Sequence, residues 1–250
     1  MESHKPKPAH SLRELVREVA VVVLGIAIAL AAEQTVESLA WRHKTQLADE
    51  QMRQEIAADD GPQVVQRIAI SPCVNGALDA IRGSVEQGAP RASVLETIDR
   101  FWTPRHTWDS VAFQAATSSG VLSRVSPGRI GLLSYFYSVM PAIEGANQRE
   151  FHGGAMLHAL SRVGGPLTET ERERLLEAVE SLRRDDAEIV RLSTHAKDAM
   201  KLLDIRAGDW SHSGSRASAL SVPERVINEV ENLPMARGCI AQLKKSLEVP

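Results

Sequence analysis

Eight histidines and two cysteines are the side chains of this 250-residue sequence best suited to metal binding or nucleophilic work, and their spacing supports neither. His152 and His158 are six apart, so they fall on different sides of a helix and lack the i, i+4 pairing of a helical zinc site. Glu150 and His152 are too close in sequence to share a helical face. Gly153-Gly154 and Gly164-Gly165 have neither the spacing nor the lysine of a phosphate loop, and no G-x-S-x-G elbow occurs. The motifs therefore assign no catalytic residue, no cofactor and no metal ligand. The best candidate for ligand contact is the stretch 102–108 (WTPRHTW), where Trp102, Arg105, His106 and Trp108 would form a polar-aromatic pocket. In the plainer alternative, the tryptophans plug helix ends and His106 faces water.

Cys73 and Cys239 would close a loop of 165 intervening residues as a disulfide in an oxidising compartment. On the chain-entropy account this adds about 4–5 kcal/mol. The alternative is two buried free thiols.

The elements that must position these residues begin with an apolar stretch at 19–32 (VAVVVLGIAIALAA), which carries no charge and no proline. Fourteen helical residues rise roughly 21 Å, short of a hydrocarbon core of about 30 Å. Extended back to Leu12, the segment 12–32 reaches the core thickness if Arg13 and Arg17 snorkel to the headgroups. A cleaved signal is the competing reading, because Ala29-Leu30-Ala31 has the small-x-small form of a cleavage site. The amphipathic flank SLRELVRE favours a retained anchor over a signal peptide. Lys5, Lys7, Arg13 and Arg17 precede the stretch, and only Arg42 and Lys44 follow closely, so the N-terminus stays cytoplasmic. The expected location is the bacterial inner membrane, single-pass, with the bulk of the chain in the periplasm. Net charge is −3, and four basic against three acidic residues lie within 1–32, so the exported part is mildly acidic and ill suited to nucleic acid. Gly25 and Ala29 form a small-xxx-small pair that would let two spans approach closely. Glu18, an acid at the edge of the span, either supports assembly or pairs with Arg17 or Arg13.

Few aromatics, and periodic segments rich in leucine, alanine, glutamate and arginine, predict an all-α fold: an N-terminal transmembrane helix, then an irregular multi-helix bundle with one long helix. The expected divisions are a tail 1–11, an anchor 12–32, a membrane-proximal helix 33–62 and an exported helical domain 63–250. Asp60-Gly61-Pro62 is expected to kink or break the first helix, and Ser71-Pro72 to start a new one. Asp109 is expected to cap a small-residue helix (Ala112, Ala115, Ala116) packed closely inside the fold or forming a groove. A helix from Pro127 is expected to kink at Pro141. Thr168 with Glu171 forms a capping box that launches the longest helix. Along it Leu175, Val179, Leu182, Asp186, Ile189, Ser193, Ala196, Met200 and Leu203 keep a heptad seam, with Asp186 expected to turn out to solvent. The stretch 211–221 reads as a loop, and Pro223 and Pro234 begin the last two helices.

Several blocks carry a resemblance: 18–30 (EVAVVVLGIAIAL), Trp41, 50–56 (EQMRQEI), 71–73 (SPC) and 108–120 (WDSVAFQAATSSG). Together they resemble a family of bacterial single-span envelope proteins of unknown function, over about the first two-thirds of the chain. This chain departs from that family's pattern at Asp59-Asp60-Gly61-Pro62, where the family continues a helix. The resemblance implies a retained anchor and an exported helical domain, and no activity. The leading expectation is an interaction or scaffold module that forms a homo-oligomer or binds an envelope partner. The alternative is a small-ligand sensing module, and because no output domain precedes Pro250, any signal would pass through a partner.

Overall fold

The computed structural model describes residues 12–108, 110–160, 165–208 and 222–247, and every element among them is helical. The expected tail 1–11, the cap at Asp109 and the loop 211–221 lie outside the described residues. The α-helices are α1 (Leu12–Glu55), α2 (Gly61–Glu86), α3 (Arg91–Asp99), α4 (Val111–Ser118), α5 (Pro127–Leu160), α6 (Glu169–Leu202), α7 (Val222–Glu231) and α8 (Ile240–Leu247).

The chain divides into two compact units, 1–47 and 48–250. In the first, α1 is long and apolar enough to cross a membrane. Its large apolar side chains from Val19 to Leu30 are all more than half exposed, on every face of the helix. The second unit begins at Ala48, inside the segment expected to be membrane-proximal. Met52 and Ile56 are fully buried within it.

The core of the second unit is α2 sandwiched by α6 and the C-terminal helices. Val74, Leu78, Ile81 and Val85 step along α2 by four, three and four residues and meet Leu175, Val179 and Leu182 of α6. Val226 and Val230 of α7 and Leu243 and Leu247 of α8 complete the same cluster. Cys73 and Cys239 lie at bonding distance, 2.09 Å between sulfurs, and tie α2 to the 3₁₀ turn before α8.

Two expected breaks are absent. Asp60-Gly61-Pro62 does not interrupt the helical path: a single π-helical turn, Ile56–Asp60, joins α1 to α2. Gly61 N–H donates to the Ile56 carbonyl five residues back. Pro62 falls in the first turn of α2, where a missing N–H costs little. The carbonyls this leaves over find distant donors: Gly208 N–H donates to Ala57 O at 2.7 Å, and Arg225 Nη2 to Ala58 O at 2.9 Å. Pro72 likewise lies inside α2, where a new helix was expected to start, and Pro141, the expected kink point, lies inside α5. A proline removes one backbone bond, and the packed flanks outweigh that loss here.

The capping box is formed, with Glu171 N–H donating to Thr168 Oγ1 and Thr168 N–H to Glu171 Oε2. Arg91 at the start of α3 reaches over and donates to both Glu171 oxygens, at 2.7 and 2.6 Å. The helix this box launches is not the longest: α6 has 34 residues, as α5 does, and α1 has 44. All nine seam residues of α6 and its exit are buried, Asp186 included. Helix α4 is mostly exposed: of its small residues only Ala116 packs inside the fold, while Ala112 and Ala115 line an open surface hollow. Its second N–H, at Ala112, is capped from outside by Glu55 Oε2 at 2.9 Å.

Candidate functional site

The loop 101–108 does not gather its four singled-out residues into one pocket. It sends them two ways. Trp102 is exposed and lies flat on the His158 imidazole of α5, with ring centroids 4.4 Å apart. Arg105 places its guanidinium over the Phe151 ring at 4.8 Å. Trp108 is buried, and its ring meets His106 edge-on at 4.9 Å. His106 does not face open water: it turns toward Asp60, with Nε2 3.6 Å from Oδ1. Asn147 holds the loop in this course by donating to the His106 carbonyl at 3.0 Å.

On the Trp102 side the loop and α5 enclose a half-open cleft of about 430 Å³, lined by Phe101, Trp102, Thr103, Phe151, Gly154, Ala155, His158 and Ala159. Its floor is low because α5 offers only glycine and alanine there. A Cβ on Gly154 would already touch the Phe101 ring at 3.7 Å. His158 Nε2 lies 3.0 Å from the Phe101 carbonyl, which can only accept, so this nitrogen carries the proton. The volume is in the range of small-molecule sites.

Behind the loop is a buried polar layer that periodicity did not flag as a site. Arg67 of α2 donates to Glu150 Oε1 of α5 at 2.6 Å and lies 3.5 Å from Asp186 Oδ1 of α6, with all three side chains at 2% exposure or less. Asp186 also accepts from Ser71 at 2.7 Å and from Asn75 at 2.8 Å. Its expected solvation is thus overturned: Ser71, Asn75 and Arg67 replace the water it would otherwise need. Burial pushes the Glu150 and Asp186 carboxyls above their ordinary range, and Arg67 opposes this in both. Asp60 is fully buried with neither oxygen hydrogen-bonded. Burial raises it to about 6, His106 opposes the shift, and Glu55 and Asp59 add to it. Tyr137, whose hydroxyl lies 3.4 Å from the Met52 carbonyl, is raised by burial and then by Glu55.

The Ser71 hydroxyl is engaged in donating to Asp186 Oδ2 at 2.7 Å. Among the described residues no group of three or more His, Cys, Asp or Glu is placed to hold a metal ion. No family model, curated protein or solved structure matches this chain.

Gly25, Ala29 and Glu18 all lie exposed along α1, and a Cβ on Gly25 would meet nothing within 4 Å. Sequence reasoning missed Arg67 and Phe151, took Asp60 only as a helix breaker, and set Glu150 and His158 aside as metal-ligand candidates. Asp186 interrupting an apolar seam, and Arg67 within the apolar run VVQRIAI, were the signals that pointed inward.

Proposed function

We propose that this protein is a single-span envelope protein of the bacterial inner membrane. Its apolar helix anchors a periplasmic helical module that binds an envelope partner or a second copy of itself. The observation that carries this is the helix 19–30, where every large apolar side chain is bare while the unit from Ala48 onward has closed its own core. An uncovered stretch of that length and uniformity needs a lipid solvent. The basic residues before it favour a cytoplasmic N-terminus. Cys73 and Cys239 at bonding distance suit an oxidising compartment. The resemblance to bacterial single-span envelope proteins supports the same arrangement.

Cell fractionation with a high-salt wash, combined with reporters fused after Pro250, tests it. Full-length protein should stay with the membrane pellet, and alkaline phosphatase at the C-terminus should be active while a fluorescent protein exported by the same route stays dark. A soluble full-length chain, or the opposite reporter pattern, overturns the reading. Intact mass from the membrane fraction decides between a retained anchor and cleavage near Ala31.

A further inference from the structure

We propose that the cleft between the loop 101–103 and α5 binds a small, flat, apolar carboxylate. This does not rest on membrane placement, so its failure and the failure of the anchor reading are separable. The walls supply the apolar half of the argument. Trp102 and Phe151 are both exposed at 40–50%, the Trp102 and Phe151 rings face one shared hollow, and the floor is Gly154 and Ala155. Two large aromatic rings left in water beside a hollow of about 430 Å³ are surface that a flat apolar body would cover. The His158 ring backs Trp102 and is pinned by the Phe101 carbonyl, so the indole is pre-set as a stacking wall.

Charge supplies the other half. Arg105 reaches the cleft through Phe151, one of its lining residues: the guanidinium lies over that ring and makes no ion pair among the described residues. A guanidinium on an aromatic face keeps its donors free at the ring edge, where a carboxylate can take two of them. A cationic ligand would meet Arg105 unfavourably, and a neutral one would gain only the ring contacts.

The test uses the full chain, in lipid nanodiscs if it fractionates with membrane and in buffer if it is soluble, with equilibrium dialysis against the same medium, or empty discs, without protein. The probes are 2-naphthoate and its neutral counterpart 2-naphthalenemethanol. The expected result is saturable binding of naphthoate at one site per chain, with the alcohol roughly tenfold weaker. Arg105→Gln should bring naphthoate down to the alcohol's level. Ala155→Trp fills the cleft from an exposed position and should abolish both, and Trp102→Ala, which removes a wall, should weaken both even if the first variant folds poorly. No saturable binding above that protein-free control overturns the proposal. So does binding that survives both cleft variants, or an acid-to-alcohol ratio that Arg105→Gln leaves unchanged.

Discussion

The Asp60 carboxylate lies 3.6 Å from His106 Nε2, in a site where neither of its oxygens receives a hydrogen bond. Asp60 ends the π-helical turn, which swings it inward beneath the loop that carries His106. An unmet buried carboxylate is costly when ionised and cheap when protonated.

That cost gives a signed prediction. Asp60 is raised from its ordinary 3.8 to about 6 in the folded protein. Its stabilising contribution is therefore full below pH 3.8 and is lost as pH rises through about 6. The shift corresponds to about 3 kcal/mol. Asp60→Asn, which carries no charge at any pH, should be the more stable protein at pH 7.5 and equal to the parent near pH 4. Thermal unfolding of both chains across that range measures the difference. Parallel curves for the two proteins would refute it. Glu150 and Asp186 are raised as well and act in the same direction, but they are common to both chains and cancel.

Arg67→Met should be among the most damaging single changes in the compact unit. It leaves Glu150 and Asp186 buried without their cation. Breaking one side of a buried ion pair costs about 3–5 kcal/mol, equivalent to a fall in melting temperature of roughly 10 °C for a domain of this size. The triple variant Arg67→Met, Glu150→Gln, Asp186→Asn removes all three charges and should recover most of the loss. Far-UV circular dichroism melts of the two variants check both directions.

What the sequence made legible, and what it hid, follows the distance over which partners act. The seam from Leu175 to Leu203 is read from its own spacing, and each of its residues is buried. The capping box at Thr168 is local and forms as written. Two cysteines allow one pairing, and their sulfurs lie at bonding distance. Asp186 was misread because its partners, Ser71, Asn75 and Arg67, sit on another helix more than a hundred residues earlier. Asp60-Gly61-Pro62 was misread for the same reason, since the donors that satisfy the neighbouring carbonyls come from Gly208 and Arg225. The Trp102 loop was recognised as aromatic, but the walls that make a cleft of it, Phe151 and His158, belong to a helix with no motif.

The C-terminal helices should depend on the Cys73–Cys239 link. They follow the undescribed residues 209–221, and the sulfur pair fixes them to α2 at a sequence separation of 166. Losing a native disulfide costs about 2–5 kcal/mol. Cys73→Ser with Cys239→Ser should lower the melting temperature, and hydrogen exchange should quicken first in α7 and α8. Uniform exchange across the unit would show that the apolar contacts of Val230 and Leu243 suffice alone.

Glycine-to-alanine changes at 61 and 76 should have opposite signs, although both residues lie in α2 with helical neighbours. Alanine in a helix interior gains about 0.5–1 kcal/mol over glycine when nothing obstructs it. At Gly76 nothing lies within 4 Å of the added methyl, so Gly76→Ala should raise stability by that amount. At Gly61 the methyl would run into the Ile56 carbonyl and would lie 2.6 Å from Met200 Cε. The methionine can swing away, but the carbonyl cannot, because it holds the Gly61 N–H in the bond that closes the π turn. Gly61→Ala must therefore open that turn, with a net loss on the order of 1–3 kcal/mol. Opening the turn also frees Asp60 from its inward position, so the variant should lose the Asp60 share of the stabilisation on acidification, while that of Glu150 and Asp186 remains. Melts of both variants at pH 4.5 and 7.5 read the two effects together. If Gly61→Ala stabilises as Gly76→Ala does, the close approach of the Ile56 carbonyl is not what selects glycine at 61.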